Sequence, residues 1–101
     1  MITIRAEYTA RFREITRLTE ETIQLQQPLV SELAHKLTQK YGPLMEALLI
    51  DPETKDLNNK GTLFLDSKGQ RISINDTLED GEVIAFMVGI AGGRGTPGDS
   101  N

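Results

Sequence analysis

Near the end of the chain, Gly92 and Gly93 stand side by side. Without side chains, such a backbone can lie extended in a tunnel too narrow for other residues. That is what an enzyme needs when it must bring a C-terminal carboxylate up to ATP or to a thiolate. The same pair lets a protease clamp the backbone from all sides. Glycine pairs are common in tails, so the pair alone is a weak signal, and its placement carries more. It closes the stretch Val88-Gly89-Ile90-Ala91, a few residues beyond the last apolar segment, and eight residues, Arg94 to Asn101, follow it. As written, Gly93 therefore carries an amide and not a free carboxylate.

Other residue types offer less. His35 is the single histidine and lies off the apolar stripe of its helix, which predicts a solvated side chain and no catalytic role. No motif supports a serine–histidine–acid triad. The absence of cysteine excludes disulfides, cysteine-based metal sites and a cysteine nucleophile. Asp51, Glu53 and Asp56 lack the glycine-punctuated spacing of a calcium loop and read as a solvated acidic loop, so no metal is expected. Arg11, Phe12, Arg13 and Arg17 faintly suggest an RNA-contacting loop, aided by Arg94. A net charge of −4 disfavours a nucleic-acid binder, which needs excess positive charge to displace counterions. Docking to an acidic protein is the better use of these arginines, and plain solvation is the default.

The elements that would position the glycine pair are read from periodicity. Ile2 to Tyr8 alternates, with Ile2, Ile4, Ala6 and Tyr8 on one face, and Glu21 to Leu25 alternates with Ile23 and Leu25 inward. Thr9–Glu20 reads as a long polar loop joining the two as a hairpin. Pro28 opens a helix to Tyr41, with Val30, Leu33, Ala34, Leu37 and Tyr41 on one stripe and Glu32 and Lys36 as a supporting i,i+4 pair. Gly42 and Pro43 stop it. Leu44 to Ile50 is a candidate second helix, and Asp51 to Gly61 reads as a surface loop. Thr62 to Asp66 is a strand with Leu63 and Leu65 opposite Phe64, and Arg71 to Ile74 a short edge strand. Glu82 to Met87, apolar on both faces, belongs in the middle of a sheet. From Gly89 onward glycines 89, 92, 93, 95 and 98 dominate, and such a segment has too little apolar surface to order itself. The expected organisation is a folded domain over 1–88 and a flexible tail over 89–101. No apolar run approaches the ~20 residues of a membrane span. Met1 leads directly into Ile-Thr-Ile-Arg with no signal-peptide pattern, which makes the cytoplasm the expected compartment.

One long helix between two hairpin-like regions is an α+β roll. The ending Gly81-Glu82-Val83-Ile84-Ala85-Phe86-Met87-Val88-Gly89-Ile90-Ala91-Gly92-Gly93 resembles that of the MoaD/ThiS sulfur carriers, relatives of the ubiquitin-related modifier and the small archaeal modifier proteins. Leu78-Glu79-Asp80-Gly81 fits the family's turn before its last strand, and Ala10-Arg11-Phe12-Arg13-Glu14 resembles the loop after its first strand. The likeness covers residues 1–93 in element order. The chain departs from the family in three places. Val88-Gly89 stands where Pro-Pro is frequent, the Pro43–Gly61 region is longer than in minimal carriers, and residues 94–101 follow the glycine pair.

The resemblance implies a ubiquitin-like β-grasp roll, with one main helix on a mixed four- to five-stranded sheet. It implies a carrier or tag and not an enzyme, with no bound cofactor, no nucleic acid and no membrane. Gly93 and Gly92 form the activation and conjugation terminus. The partner is a ubiquitin-activating-type adenylating enzyme that uses ATP, and Phe86, Val88, Ile90, Arg11 and Arg13 are candidate partner contacts. The extension resembles those of ubiquitin precursors, so cleavage between Gly93 and Arg94 is expected, by a zinc metalloprotease or, alternatively, a cysteine protease. The first reading is a modifier precursor joined to target lysines. The second is a sulfur carrier acting through a C-terminal thiocarboxylate on a sulfur-accepting enzyme, as the small subunit of molybdopterin synthase or in tRNA thiolation. The third is a non-conjugated ubiquitin-like interaction domain.

Overall fold

Two hydrophobic periods, one of a strand and one of a helix, meet across a single core. The computed structural model describes residues 1–88. Along the chain run β1 (Ile2–Tyr8), α1 (Ala10–Thr16), β2 (Glu20–Leu25), α2 (Val30–Tyr41), α3 (Pro43–Leu49), β3 (Thr62–Leu65) and β4 (Val83–Val88). The strands form one sheet in the order β2-β1-β4-β3. β1 pairs antiparallel with β2 and parallel with β4, and β3 pairs antiparallel with β4. The inward set of each strand is mainly apolar, with Ile4, Ala6 and Tyr8 on β1, Ile23 and Leu25 on β2, Phe64 on β3, and Ile84 and Phe86 on β4, all buried. α2 crosses this face and buries Val30, Leu33, Ala34 and Leu37. His35 is exposed, as its place off the stripe requires.

Several expectations change in the folded chain. The helix starts at Val30, with Leu29 as its extended N-cap. Pro28 instead lies in a segment tied to the chain before β4, since its carbonyl accepts from the Leu78 N–H at 2.8 Å. The Val30 N–H donates to the Asp76 carbonyl at 3.1 Å, so backbone partners and not a side chain begin to satisfy the first turn. Glu32 and Lys36 do not pair with each other. The Glu32 carboxylate accepts the Gln26 N–H and the Lys36 ammonium donates to the Gln24 carbonyl. Gly42, at φ 87°, caps the end of α2 and the start of α3 together, and Pro43 occupies the first turn of α3. That backbone angle favours glycine, and it lets two helices meet with no loop between them.

Thr9–Glu20 is not an open polar loop. Ala10–Thr16 is helical because Phe12, fully buried, anchors it. The Phe12 ring meets Phe64 and Phe86 edge-on at centroid distances of 5.7 and 5.5 Å. Arg17, left-handed at φ 64°, closes the helix with its N–H on the Arg13 carbonyl. Arg71–Ile74 is not a strand. It touches β3 through one Leu65–Arg71 bridge and the Ile72 N–H bonded to the Phe64 carbonyl, so the sheet has four strands.

The 51–61 segment also proves more than a solvated acidic loop. Asp51 is buried and accepts the Glu53 N–H on its carboxylate. The Asp56 carboxylate accepts the N–H groups of Leu57 and Ile74 and the Ser73 hydroxyl, which fastens this loop to the 71–74 segment. Those two backbone N–H bonds, Ile74 first, hold the Asp56 carboxyl below the usual carboxylate range. Among the described residues no cluster is suited to hold a metal ion, and no helix is long and apolar enough to cross a membrane.

Candidate functional site

The place to look is where β4 ends. Gly81, at φ 86°, makes the turn that starts the strand, and its N–H bonds to the Thr3 carbonyl at 2.7 Å. The Asp80 carboxylate accepts the Thr3 N–H at 2.8 Å. The turn is thus locked to the start of β1, and β4 runs beside β1 in the same direction, between β1 and β3. Its last residue, Val88, pairs with Thr62 and packs half-buried against the core. Gly92 is four positions further on in sequence. Ile90, Gly92, Gly93 and the Gly93–Arg94 bond lie outside the described residues, as do the flexible tail and its extension expected over 89–101.

The structure divides the expected partner contacts Phe86, Arg11 and Arg13 between the core and the surface. Phe86 is 2% exposed and cannot present its ring to a partner. It is the hub of the aromatic core, edge-on to Tyr8, Phe12 and Phe64 at 5.3, 5.5 and 5.5 Å. Its carbonyl accepts both the N–H and the hydroxyl of Thr9, at 3.2 and 3.0 Å, which fixes the start of α1 to the end of β4. Arg11 and Arg13 fall on the exposed side of that short helix, opposite Phe12. Among the described residues neither makes an ion pair. Both are exposed, on the helix whose start is bonded to the end of β4.

The outer face of the sheet is continuous with the strand end. Val83, Ala85 and Met87 of β4 stand beside Leu63 and Leu65 of β3, all partly exposed, with Leu63 opposite Met87 and Leu65 opposite Ala85. On the β1–β2 side the same face turns charged, where Arg5 lies near Glu7 and Glu20 at 3.6 and 3.9 Å. The sequence of β4, apolar at every position, already implied an apolar outer face.

A polar cluster under α2 was not foreseen. Both Tyr8 and Tyr41 hydroxyls donate to Glu21 Oε1 at 2.8 Å, and the Lys40 ammonium bonds Oε2. Burial alone would raise the Glu21 carboxyl, but hydrogen bonds from Lys40, Tyr41 and Tyr8 outweigh it and hold the group below its ordinary range. Burial, reinforced by the bond to Glu21, pushes the Tyr8 phenol well above its ordinary range. Every oxygen in this cluster is occupied in holding α2 to β1 and β2, which is a structural use and leaves no group poised for acid–base work.

No protein-family model and no curated protein matches the sequence. Solved structures do match the fold. The small archaeal modifier protein 1 of Methanosarcina acetivorans aligns over 92% of this chain and 98% of its own, with a TM-score of 0.70 at 20% identity. Urm1 of Trypanosoma brucei aligns over 90% and 95%, with a TM-score of 0.65 at 20% identity. A Pyrococcus furiosus protein assigned as molybdopterin converting factor, subunit 1, aligns over 89% and 100%, with a TM-score of 0.70 at 19% identity. Identities this low speak to fold alone. With the sheet order, the crossing helix and the central last strand already established, the chain has the ubiquitin-like β-grasp fold.

Proposed function

We propose that this chain is a ubiquitin-like protein modifier made as a precursor, a carrier or tag and not a catalyst. The observation that carries the reading is positional. A central strand, held on both sides and locked at its start, ends at Val88, and Gly92-Gly93 follows within five residues and is itself followed by eight more. A zinc metalloprotease would cut between Gly93 and Arg94, its metal-bound water attacking the Gly93 carbonyl without an acyl-enzyme. The freed carboxylate would then attack the α-phosphate of ATP on an adenylating enzyme, giving the acyl adenylate and pyrophosphate. Attack by a lysine amine on the Gly93 carbonyl would form the isopeptide bond and release AMP. All acid–base chemistry in this scheme belongs to the partners.

The second reading is a sulfur carrier, favoured by the Pyrococcus furiosus neighbour's assignment as a molybdopterin converting factor subunit. There a sulfide-level sulfur nucleophile supplied by a partner would attack the Gly93 carbonyl of the acyl adenylate, releasing AMP and leaving a thiocarboxylate. Residues 94–101 favour the modifier, because a precursor gains from staying inert until cut, whereas a sulfur carrier has no evident need for a cap.

The test supplies residues 1–93 and 1–101 to an adenylating enzyme of the same cell with ATP and follows pyrophosphate release. Activation of 1–93 alone is expected. Equal activation of 1–101, with mass spectrometry showing it uncut, would overturn the precursor reading. If neither form is activated, a non-conjugated interaction domain becomes the better account. The intact mass of the protein recovered from its cell separates modifier from carrier, since a thiocarboxylate exchanges one oxygen for sulfur at Gly93.

A further inference from the structure

We propose that the Asp80–Gly81 turn is a modification site, where the main chain isomerises to a β-aspartyl linkage when its clasp to β1 opens. Asp80 followed by Gly81 is the single Asp-Gly step in the sequence, and no Asn-Gly step occurs. Both residues are exposed, so water reaches them. Gly81 has no Cβ to shield its nitrogen from the Asp80 carboxyl. In the reaction that nitrogen attacks Asp80 Cγ, its proton leaves with a carboxyl oxygen as one water, and a five-membered imide closes. Water then adds at the Asp80 main-chain carbonyl and breaks its bond to the Gly81 nitrogen. The chain now runs through Cγ, the former main-chain carbonyl is a free carboxylate, and the mass is unchanged. Nothing is oxidised or reduced, and water is the only co-reactant.

The fold decides when this can happen. The Glu82 N–H donates to the Glu79 carbonyl at 3.1 Å and Gly81 lies at φ 86°, which puts Asp80 and Gly81 at the centre of a type II turn. There the peptide after Asp80 is rotated to a ψ of about +120°, and closing the ring requires swinging it toward the Asp80 side chain. Thr3 opposes that swing at both ends. Its carbonyl accepts the Gly81 N–H at 2.7 Å, and its N–H donates to Asp80 Oδ1 at 2.8 Å. The attacking nitrogen and the attacked carboxyl are thus tied to one residue of the neighbouring strand, and neither turns to the other until Thr3 lets go. These bonds lie at the end of the β1–β4 pairing, which continues with the Arg5 N–H on the Glu82 carbonyl at 2.9 Å and the register from Val83 onward. A ladder opens from its end at less cost than the core it adjoins.

The other aspartates are worse placed for the same chemistry. Asp51 is buried and precedes Pro52, which has no N–H to lose. Asp56 precedes Leu57, whose side chain crowds the nitrogen. Asp66 precedes the smaller Ser67, but its Oδ1 holds the N–H groups of Lys68 and Gln70, both at 2.9 Å. At Asp80 the product does not fit the turn it came from. The β linkage lengthens the main chain by one carbon, and the new carboxylate hangs directly from Cα, one carbon short of the place where Thr3 donates. The start of β4 is then released from β1. Isomerisation therefore marks copies that have opened and keeps them loosened at the head of the strand that leads to Val88.

The experiment ages the full chain at neutral pH beside the end-blocked peptide Leu-Glu-Asp-Gly-Glu-Val. Isoaspartate at Asp80 is read by peptide mapping and by labelling with an isoaspartate-specific methyltransferase, and amide exchange of Gly81 is measured in the same buffer. Isoaspartate should accumulate at Asp80 ahead of every other described aspartate. It should form more slowly than in the peptide by the same factor that protects the Gly81 N–H, about tenfold to hundredfold, the value of two net hydrogen bonds. Thr3→Pro removes the donor to Asp80 without touching the β1–β2 ladder, which uses the even-numbered residues of β1, and should speed the reaction about fivefold to tenfold. Asp80→Glu keeps a carboxylate but demands a larger ring, and should abolish the signal. If Thr3→Pro fails to fold, the match between isomerisation and Gly81 exchange in the wild type decides alone. Formation at the peptide's rate while the Gly81 N–H is protected would overturn the clasp. A rate that follows global unfolding in urea and not Gly81 exchange would overturn opening from the ladder end. No isoaspartate at Asp80 after the time that the peptide rate and the Gly81 protection together set would overturn the site.

Discussion

Replacing Phe12 by alanine tests whether the segment after β1 is a seated helix or a solvated connection. In the wild type the ring is fully buried, with Phe64 and Phe86 edge-on at 5.7 and 5.5 Å, and Phe86 is in turn met by Tyr8. Truncation removes the transfer free energy of a whole aromatic side chain and leaves a cavity that its two rigid ring neighbours cannot readily fill. Buried Phe→Ala changes of this kind cost about 3–5 kcal/mol, the lost edge contacts included. Against a domain stability of about 5–15 kcal/mol, that is a large fraction of the whole. Urea unfolding followed by circular dichroism is the assay, with the slope compared between variants so that a midpoint shift can be read as stability. Arg11→Ala and Arg13→Ala, on the exposed side of the same helix, are the controls and should stay within about 0.5 kcal/mol. A loss below about 1 kcal/mol for Phe12→Ala would refute the reasoning, because only a ring in water could be lost so cheaply.

Leu37→Ala should cost about 2–5 kcal/mol in the same unfolding experiment, since its side chain is buried where α2 crosses the sheet. Asp56→Ala removes a carboxylate that holds two backbone N–H groups and a hydroxyl, and should cost about 1–3 kcal/mol and speed amide exchange at Ile74. Glu21→Ala should cost about 1–3 kcal/mol by stranding the buried Tyr8 hydroxyl, and Tyr8→Phe should cost less because it removes the donor itself. The Glu21 carboxyl is held below its ordinary value of 4.5, so its contribution is present above that pH and is lost as pH falls through the lower folded value. Acid titration of stability should therefore be shallower below pH 4.5 in Glu21→Gln than in wild type; the part that remains includes Asp56, also depressed, from 3.8.

Legibility followed the length of each periodic signal. β1 and β2 alternate over enough residues to fix their inward faces, β4 is apolar throughout as a central strand should be, and the α2 stripe spans three turns, so these elements read directly from sequence. α1 buries only Phe12 and Thr16, one i,i+4 step, which is too short to register as a period. Its two positive-φ positions, Ala10 and Arg17, carry no glycine to announce them. The Asp56 bonds join positions 17 and 18 apart in a region without repeat, and nothing local marks a carboxylate as a collector of distant N–H groups. The Glu21 cluster, by contrast, had a signal that could have been used. Glu21 shares the inward phase of Ile23 and Leu25, Tyr8 is inward on β1, and Tyr41 ends the α2 stripe. Two inward phenols each need a hydrogen-bond partner, and one inward carboxylate supplies it.

The position of β4 explains why this fold suits the proposed use. A strand at the sheet edge could fray when its end is pulled into an enzyme. β4 is paired along both sides, with β1 and β3, and is packed beneath by Ile84 and Phe86. The Thr9 bonds to the Phe86 carbonyl add a further restraint one turn of the pleat before Val88. Tension on the residues after Val88 is therefore taken up by a strand bonded on both sides, and local opening there requires disrupting the core itself. On the proposed reading, the fold delivers a chain end to chemistry carried out elsewhere. The exposed α1 arginines and the half-apolar outer face of β3 and β4 both lie next to that end, where a partner holding the tail would meet them. Changes on these surfaces should therefore alter activation while leaving unfolding midpoints almost unmoved, whereas changes at Phe86 should alter both together.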